Sequence, residues 1–413
     1  MQVKSLRLSR RSWIKSAAVS TTLPMIVPSS ALGLDGATPP SERIVMATIG
    51  TGGRGTGDMR SFLRFPEVQM VATCDPVRDH RERARDLVND RYRSKDCATY
   101  NDFREVMARD DIDAVLIGTP DHWHAIITIE ACKSGKDVFC EKPECLTIRQ
   151  GRAMVEAART YGRVVSGGSQ RVIGDYGDIP RLVRGGAIGE VKEVYVSCGD
   201  PSGECYLPEE PIPDGVDWDM WLGPAPWRPF HSSLLKGKFR PYRDYSGGGM
   251  TDWGAHRFGA ALFATGLHHT GPVEVTPPDG EETPLLTFRF ANGTKFYHNG
   301  TRHNEPKYRN IVYRGTEGEV PGIHPPMLKR VDMEGYKGRG GIFGDFVHCV
   351  KTRELPFRDI EVAHRATTVC HLGNIAYWLN RKLRWNPKTE EIIGDPEAGR
   401  WLDRPARGSW ALM

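Results

Sequence analysis

The sequence of 413 residues predicts an α/β domain built on a parallel sheet, followed by an α+β domain with a large, mostly antiparallel open sheet. In the first half, unbroken apolar runs alternate with helical patterns, as expected for strands that are buried on both faces. In the second half, apolar and polar residues alternate along each run, as expected for strands with one face on a core. The chain is long enough for both domains.

The first domain is predicted over residues 42–165. Four apolar runs each end at a turn, and they are RIVMATIG, VQMVATCD, DAVLIGTP and KDVFCEKP. Helical patterns such as RERARDLVNDRY and HAIITIEACKSG lie between the runs, and the second pattern ends on Gly135, a common helix stop. Strands and helices that alternate in this way predict a parallel sheet that is covered on both faces.

The second domain is predicted over residues 166–390, with residues 391–413 as a C-terminal tail. EVKEVYVSCG alternates, and LLTFRF and GTKFYHNG flank Asn292-Gly293, which is a strong hairpin signal. Two late helices are predicted in GDFVHCVK and VAHRATTVCHLGNIAYWLN. We expect that these late helices can pack back on the first domain.

Residues 1–31 resemble a twin-arginine export signal. Arg10 and Arg11 precede an apolar run, and Ser29 and Ala31 supply the small residues that a signal peptidase prefers. The run has about 11 residues and a membrane span needs about 20, so no span is predicted in the mature chain. Residues 32–42 are then a linker, and the mature protein is expected in the periplasm.

The charge and the cysteines exclude other classes of protein. The net charge of +4 comes from the export segment, because the rest of the chain has 51 basic and 52 acidic residues. A near-neutral chain predicts no nucleic-acid partner. The nine cysteines form no CxxC pair, which favours buried free thiols over a zinc site or a disulfide framework. A bridge between Cys198 and Cys205 after export is the alternative.

The stretch IGTGGRG follows an apolar run and matches G-x-G-x-x-G, the turn that binds pyrophosphate in Rossmann folds. The turn holds five predicted cofactor residues, Gly50, Gly52, Gly53, Arg54 and Gly55. Asp75 ends the next run and would accept hydrogen bonds from the adenine ribose, which favours NAD over NADP. Arg78 lies close enough in sequence to accommodate a 2′-phosphate in part.

Further motifs resemble those of the Gfo/Idh/MocA oxidoreductases, the glucose–fructose oxidoreductase and inositol dehydrogenase family. They are FCEKP, TPDHWHA, GGSQR, GGGMTDWGAH and VDWDMWLGPAPWRPF, and the resemblance covers nearly all of the mature chain. It implies that Lys142, Asp252 and His256 are catalytic and that Glu141 binds the nicotinamide ribose. It also implies a nicotinamide pocket lined by Thr119, Pro120, His122, Trp123, His124 and Gln170.

The catalytic chemistry agrees with these residue types. Oxidation of a carbinol sends a hydride to the nicotinamide and a proton to a base. Asp252 and His256 are expected one turn apart if this segment is helical, so that both face one site, and the ordinary pKa of His256 near neutrality suits acid–base catalysis. Lys142 can stabilise charge on the reacting oxygen, and Asp252 can hold a substrate hydroxyl or tune Lys142. A zinc site would need a third ligand that is not evident, so no metal is predicted.

Aromatic and charged residues between positions 218 and 245 suggest a sugar-binding region, because aromatic rings stack on sugar rings. The predicted substrate residues are Arg171, Trp218, Tyr242, Arg243 and Tyr245. The alternative is that these aromatics pack the domain or a subunit interface. One departure from the family pattern is Gly259, where an acidic residue often follows the catalytic histidine.

The function predicted is oxidation of a sugar, polyol or glycoside hydroxyl by tightly bound NAD. The periplasm holds no comparable pool of free NAD, so the cofactor is expected to be regenerated in the site. One alternative is an NAD-dependent glycosidase that oxidises, eliminates, hydrates and reduces its substrate in turn. Another is a non-catalytic sugar-binding or sensor protein that contains NAD. We also expect a homodimer or homotetramer that associates through the second sheet.

Overall fold

The computed structural model describes residues 38–173, 178–298, 310–321 and 340–410. The chain divides into a short unit, Met1–Arg43, and a large unit, Ile44–Met413. In the short unit, the described residues form a single turn of 3₁₀-helix, Pro40–Glu42. The predicted export signal lies outside the described residues.

The first sheet of the large unit has six parallel strands. They are β1 Ile44–Ile49, β2 Val68–Cys74, β3 Ala98–Tyr100, β4 Ala114–Ile117, β5 Asp137–Cys140 and β6 Val165–Gly167. Their order, β3-β2-β1-β4-β5-β6, is that of a doubly wound dinucleotide-binding sheet. The strand order reverses between β1 and β4, which is where such sheets bind their ligands. The predicted α/β domain is confirmed.

Helices connect these strands. They are α1 Gly53–Phe62, α2 Arg78–Tyr92, α3 Phe103–Met107, α4 Asp121–Lys133 and α5 Ile148–Thr160. Helix α4 is buried along almost its whole length, because it packs on the sheet and on α5, and Trp123 in its first turn contacts Trp221 of the second domain. Its position at the boundary places its N-terminal turn, TPDHWHA, between the two domains.

The second sheet has eight strands. They are β7 Val191–Val196, β8 Glu274–Thr276, β9 Leu286–Arg289, β10 Lys295–His298, β11 Ile311–Gly315, β12 Glu319–Pro321, β13 Leu383–Asn386 and β14 Glu391–Ile392. Their order is β12-β11-β7-β10-β9-β8-β13-β14, and the pair β7–β10 is parallel, whereas the other pairs are antiparallel. The predicted open sheet is confirmed, as is the hairpin that joins β9 and β10 at Asn292-Gly293.

The remaining helices are α6 Gln170–Ile173, α7 Asp178–Arg184, α8 Trp218–Leu222, α9 Gly249–Asp252, α10 Gly254–Ala264, α11 Gly341–Thr352, α12 Ile360–Leu379 and α13 Pro396–Gly399. Helices α10 and α12 pack on the second sheet. Phe346 of α11 lies in one apolar cluster with Phe62 and Phe139 of the first domain. Near the C-terminus, Leu402 is buried and the Trp410 ring contacts Trp123 at 4.8 Å, so the segment after β14 is packed.

All nine cysteines are free thiols, and all except the half-buried Cys205 are buried. The alternative bridge between Cys198 and Cys205 is therefore absent. Burial raises the pKa of Cys97, Cys132 and Cys198 to about 12, so these thiols scarcely ionise. Among the described residues, no helix has the length and apolar character needed to cross a bilayer.

Candidate active site

The turn between β1 and α1 is a glycine cradle. Gly50 has a φ of 83°, and a Cβ on Gly55 would overlap the carbonyl oxygen of Gly50. A Cβ on Gly118 would lie 2.6 Å from the Cα of Gly55. A Cβ on Gly52 or Gly53, in contrast, would meet no heavy atom within 4 Å, so the N-terminus of α1 is open on that side. This shape fits a pyrophosphate at a helix N-terminus.

Asp75 is buried at the end of β2, beside this cradle. Its Oδ2 accepts a hydrogen bond from the backbone N–H of Thr51 at 2.7 Å, and its Oδ1 accepts one from Val77 at 2.9 Å. The carboxylate is thus fixed at the position where a Rossmann fold binds the adenine ribose. Arg78 points away toward Asp214, at 3.2 Å on the surface, so it does not supply a counter-charge for a 2′-phosphate here.

A cavity of about 450 Å³ extends from the cradle to the EKP motif. Most of the predicted cofactor residues line it, namely Gly50, Gly52, Gly53, Arg54, Asp75, Thr119, Pro120, Trp123 and Glu141. The opposite wall comes from the second domain and was not predicted to face the cofactor; it consists of Met220, Trp221, Leu234, Leu235, Lys236, Gly237, Phe239 and Arg240. No local motif marks this second wall, because it forms only when the domains pack.

Two predicted cofactor residues lie behind the wall of the cavity. Both ring nitrogens of His124 contact carbonyl oxygens, those of Pro143 at 2.8 Å and Thr119 at 2.9 Å. His124 therefore joins the two turns that flank the nicotinamide position. His122 Nε2 lies 3.0 Å from the carbonyl oxygen of Trp221, and burial lowers the pKa of His122 to about 4. Both histidines shape the pocket from outside.

Arg54, an exposed residue, forms a charge cluster with the buried carboxyl groups of Asp58 and Glu141. One guanidinium nitrogen of Arg54 lies 2.7 Å from Asp58 Oδ1 and 3.0 Å from Glu141 Oε1. Burial, reinforced by the charge of Glu141, raises the pKa of Asp58, and the charge of Arg54 opposes that rise only in part. No pattern in the sequence indicates this raised pKa.

Lys142 and Asp252 meet across the boundary between the domains. Lys142 Nζ forms an ion pair with Asp252 Oδ1 and also donates to the Asp252 carbonyl oxygen at 2.9 Å. Arg240 Nε donates to the same Asp252 carboxylate oxygen at 2.9 Å. Burial alone would raise the pKa of Asp252, but the charges of Lys142 and Arg240 lower it overall. Asp252 is therefore ionised and holds both cations.

His256 differs from the expectation of a near-neutral pKa. Its side chain is buried, and its Nδ1 lies 2.7 Å from the Ser169 hydroxyl. Burial lowers the pKa of His256 well below its usual value, and the nearby charges of Lys142 and Arg171 lower it further. The expectation assumed solvent around the ring, whereas the structure surrounds it with protein and cations. His256 is neutral at physiological pH.

A second cavity of about 470 Å³ lies on the other side of Asp252. Its described lining consists of Ser197, Cys198, Gly199, Asp200, Pro201, Arg240, Pro241, Gly248, Gly249, Asp252, Trp253, Arg257 and Asn310. Arg240 lines both cavities, so they meet where Asp252 holds Lys142. Gln170, at the start of α6, lies outside both linings, and its side-chain oxygen has no hydrogen-bond partner in the described part of the chain.

One predicted substrate residue lies beside the second cavity, since the Arg171 guanidinium stacks on the ring of Trp253 at 5.1 Å. Trp218 and Tyr245 are instead buried in an aromatic cluster, where Trp218 stacks on Trp221 at 4.8 Å. Tyr242 packs against that cluster, and Arg243 pairs with Glu204. The structure therefore does not bring these four residues to the second cavity, and it agrees with the packing alternative for Trp218 and Tyr245.

Gly259 lies where the family pattern often has an acid. A Cβ at this position would be 3.4 Å from Arg358 Nη2. Arg358 is fully buried, and its Nε and Nη2 have no hydrogen-bond partner among the described residues. A carboxylate at position 259 would face this guanidinium, so the chain lacks a charge pair that the family pattern would supply.

Within the described ranges, no group of three or more His, Cys, Asp or Glu side chains is arranged to hold a metal ion.

Curated relatives match only part of this chain. A "Glycosyl hydrolase family 109 protein" of Shewanella baltica is 36% identical over 123 residues, which are 29% of this chain and 27% of that protein. The "Alpha-N-acetylgalactosaminidase" of Shewanella oneidensis is 35% identical over 135 residues, 32% of this chain and 29% of the relative. The chain thus spans just over a quarter of the length of these relatives.

The fold and the family extend over far more of the chain. The crystal structure of aldose-aldose oxidoreductase from Caulobacter crescentus is 19% identical, covers 83% of this chain and 99% of its own, and superposes with a TM-score of 0.59. Residues 44–169 match the family "Oxidoreductase family, NAD-binding Rossmann fold", and residues 199–412 match "Oxidoreductase family, C-terminal alpha/beta domain". The chain therefore belongs to the Gfo/Idh/MocA oxidoreductases, and it is an NAD-binding member of that family.

Proposed function

We propose that the protein oxidises a hydroxyl group of a sugar, polyol or glycoside by hydride transfer to tightly bound NAD. The observation that carries the proposal is the ion pair of Lys142 and Asp252, which lies where the dinucleotide cavity meets the second cavity. A substrate in the second cavity would then present its hydroxyl to Lys142. In that position, the C–H bond of the carbon that carries this hydroxyl would point toward the nicotinamide end of the first cavity.

Bound NAD supplies a carbon that accepts or returns a hydride. The chain's own residues control charge and protons around that step. The ammonium group of Lys142 stabilises negative charge on the reacting oxygen, and ionised Asp252 holds that ammonium in place. Neutral imidazole is the form that accepts a proton, so the lowered pKa keeps His256 in this form across the physiological range, as a weaker base.

The second cavity supports a carbohydrate as substrate. The indole of Trp253 is 38% exposed, and the guanidinium groups of Arg257 and Arg171 lie over its ring at 4.6 and 5.1 Å. The exposed part of the indole offers an apolar contact for a sugar ring, and Asp200 and Asn310 supply hydrogen-bonding groups for hydroxyls. The fold shared with an aldose-aldose oxidoreductase agrees with a substrate of this class.

Replacement of Lys142 by alanine tests the catalytic proposal. We expect turnover of responsive sugars to fall by about 10³-fold or more, because a charge stabiliser of the transition state is lost, whereas bound NAD is retained. Lys133→Ala is the matched control, since Lys133 is a half-exposed surface lysine paired with Glu130. Unchanged turnover in Lys142→Ala would favour the non-catalytic alternative, a sugar-binding or sensor protein that contains NAD.

A second candidate is redox-assisted glycoside hydrolysis, which the names of the two Shewanella relatives favour. In that reaction the hydride returns to the sugar, so glycoside is hydrolysed and no NADH accumulates. Incubation of the loaded protein with aryl glycosides and with free sugars separates the candidates. Released aglycone at constant 340 nm absorbance indicates hydrolysis, and a rise in absorbance with a keto product indicates net oxidation.

We further propose export by the twin-arginine route and association through the second sheet. Arg10 and Arg11 support export, and replacement of both by lysine should keep the protein in the cytoplasmic fraction. Tyr195 and Tyr297 stack at 4.8 Å on the sheet face that is away from α10 and α12, which supports a subunit contact there. Light scattering of Tyr195→Glu against the parent protein tests whether a dimer or tetramer uses this face.

A further inference from the structure

The second wall of the dinucleotide cavity belongs to one continuous stretch, Asp214–Arg240, which we call the covering segment. We propose that the covering segment retains NAD, so that the dinucleotide leaves only when this segment detaches from the first domain. The inference rests on the proposed function only in taking tightly bound NAD as the occupant of the cavity. It assigns a cofactor-binding role to residues outside the Rossmann domain.

The first attachment of the covering segment lies at the adenosine end of the cavity. Val216 pairs with Val77 in an antiparallel bridge, and this bridge is flanked by hydrogen bonds from Arg78 N–H to the Gly215 oxygen at 2.8 Å and from Asp217 N–H to the Pro76 oxygen at 3.0 Å. Pro76 and Val77 directly follow Asp75 and line the cavity. The segment is thus tied by an isolated antiparallel bridge to the rim where the adenine ribose would bind.

A side-chain bond strengthens this attachment. The Nδ2 group of Asn101 donates to Asp217 Oδ2 at 2.7 Å, and Asp217 Oδ1 accepts the Met220 backbone N–H at 3.0 Å. Asp217 therefore caps helix α8 with one oxygen and holds the first domain with the other. A hydrogen bond to a carboxylate is stronger than one between neutral groups, so Asn101–Asp217 is the strongest single link at this end.

The second attachment lies at the nicotinamide end. The carbonyl oxygen of Trp221 accepts the indole N–H of Trp123 at 3.1 Å and lies 3.0 Å from His122 Nε2. Beyond it, Arg240 donates to Asp252 at 2.9 Å. Farther along the segment, Leu235 and Phe239 also line the cavity. The segment therefore crosses the cavity from the adenosine end to the catalytic ion pair.

Packing keeps the covering segment in one conformation. Trp218, Trp221, Phe230, Phe239 and the neighbouring Tyr245 form an aromatic cluster of their own. A segment with its own core moves as a unit, so its attachments must break together before the cavity opens. Release of NAD is therefore expected to be slow, and to be limited by detachment of the segment.

A reversible cross-link tests this directly. The hydrogen bonds on either side of the Val77–Val216 pair make it a non-hydrogen-bonded antiparallel pair, whose Cα atoms lie about 4.5 Å apart and suit a disulfide. The full-length double variant Val77→Cys/Val216→Cys would be loaded with NADH and diluted into excess NAD, and the loss of NADH fluorescence would be followed. We expect release to be at least about tenfold slower in the oxidised form than in the reduced form.

A second variant, Asn101→Ala, weakens the attachment instead of locking it. It removes the hydrogen bond from Asn101 to Asp217 and leaves the Asp217 cap of α8 intact. We expect NADH release to be about tenfold faster. Arg78→Ala is the matched control, because its ion pair with Asp214 is exposed and should change release by less than about twofold. If thiol titration shows that the disulfide has not formed, the NADH release rate of Asn101→Ala, compared with that of Arg78→Ala, tests the proposal instead.

Equal release rates in the oxidised, reduced and Asn101→Ala proteins would overturn the inference, because NAD would then leave without detachment of the segment. The outcome is independent of the proposed reaction. Slow NADH release from the oxidised double variant, with no turnover of any sugar or glycoside by the parent protein, would support the role of the covering segment and contradict the proposed function. Turnover by the parent protein, with equal release rates in all forms, would support the proposed function and contradict the role of the covering segment.

Discussion

The two walls of the dinucleotide cavity are built in different ways. On the Rossmann side, Gly50, Gly55 and Gly118 place backbone against backbone, and no side chain larger than hydrogen fits between them. On the other side, the covering segment is held by its aromatic cluster and by a few hydrogen bonds to the first domain. The first wall is fixed by steric exclusion and the second by contacts that can form and break. We therefore expect the pyrophosphate site to be rigid, and entry and exit of the dinucleotide to depend on the covering segment.

The largest expected effect tests the rigid wall. Gly55→Ala should abolish tight NAD binding and cost about 3 kcal/mol or more of unfolding free energy, since its Cβ would overlap a backbone carbonyl that cannot move aside. Gly57→Ala in the same helix is the control, because its Cβ meets nothing within 4 Å and alanine favours helix by about 0.5–1 kcal/mol. Urea unfolding and NAD titration of both variants measure the contrast. Similar behaviour of the two would contradict the steric account.

The next effect is a pH dependence of stability that comes from two buried histidines, His122 beside Trp221 and His371 of α12 beside Cys145. His122 and His371 are buried and have pKa values lowered to about 4, whereas an unfolded histidine titrates near 6.5. Between these values the unfolded chain binds more protons, so stability falls as the pH is lowered. At pH 5 each histidine should cost about 2 kcal/mol relative to pH 7. Urea unfolding at the two pH values measures this, and His371→Asn should remove about half of the difference that the pair contributes.

A smaller effect concerns the adjustable wall alone. Gly223 follows α8 with a φ of 48°, and a Cβ there would overlap the indole of Trp123. Gly223→Ala should push the covering segment off Trp123, cost about 2 kcal/mol and speed NADH release. Gly135→Ala also has a positive φ, of 76°, but its Cβ would meet nothing within 4 Å and it lies outside the cavity lining, so it controls for a substitution at positive φ without the clash. Equal release from both variants would show that Trp123 is not an attachment.

The smallest effect is expected at Asp58. Burial raises the pKa of its carboxyl and so favours the protonated form, which asparagine resembles, so Asp58→Asn should change the unfolding free energy by less than about 1 kcal/mol. Asp252→Asn is the contrasting variant, because it removes an ionised group that holds two cations and should abolish turnover. Urea unfolding of Asp58→Asn and sugar turnover of Asp252→Asn, both at pH 7, check these expectations. A large loss in Asp58→Asn would mean that this carboxyl is charged.

The features that the sequence predicted are those set by local pattern. The glycine turn, the parallel strands and the Asn292-Gly293 hairpin each depend on neighbouring residues, and all three are found in the structure. The covering segment could not be predicted, because Asn101 and Asp217 are far apart in the chain and meet only through packing of the domains. The lowered pKa of His256 could not be predicted for the same reason, since both the burial of the ring and the nearby cations that lower it come from packing of other segments.

The burial of the thiols makes it important whether the chain folds before or after it meets an oxidising compartment. Cys74 and Cys140 end strands of the first sheet, and Cys145, Cys198 and Cys370 are equally enclosed. An oxidant meets these sulfur atoms only while the chain is unfolded, when wrong disulfides can form between any of them. Folding in a reducing compartment removes that hazard before it arises. Export of the protein in its folded state would thus protect its thiols from oxidation, and would also keep NAD in its cavity.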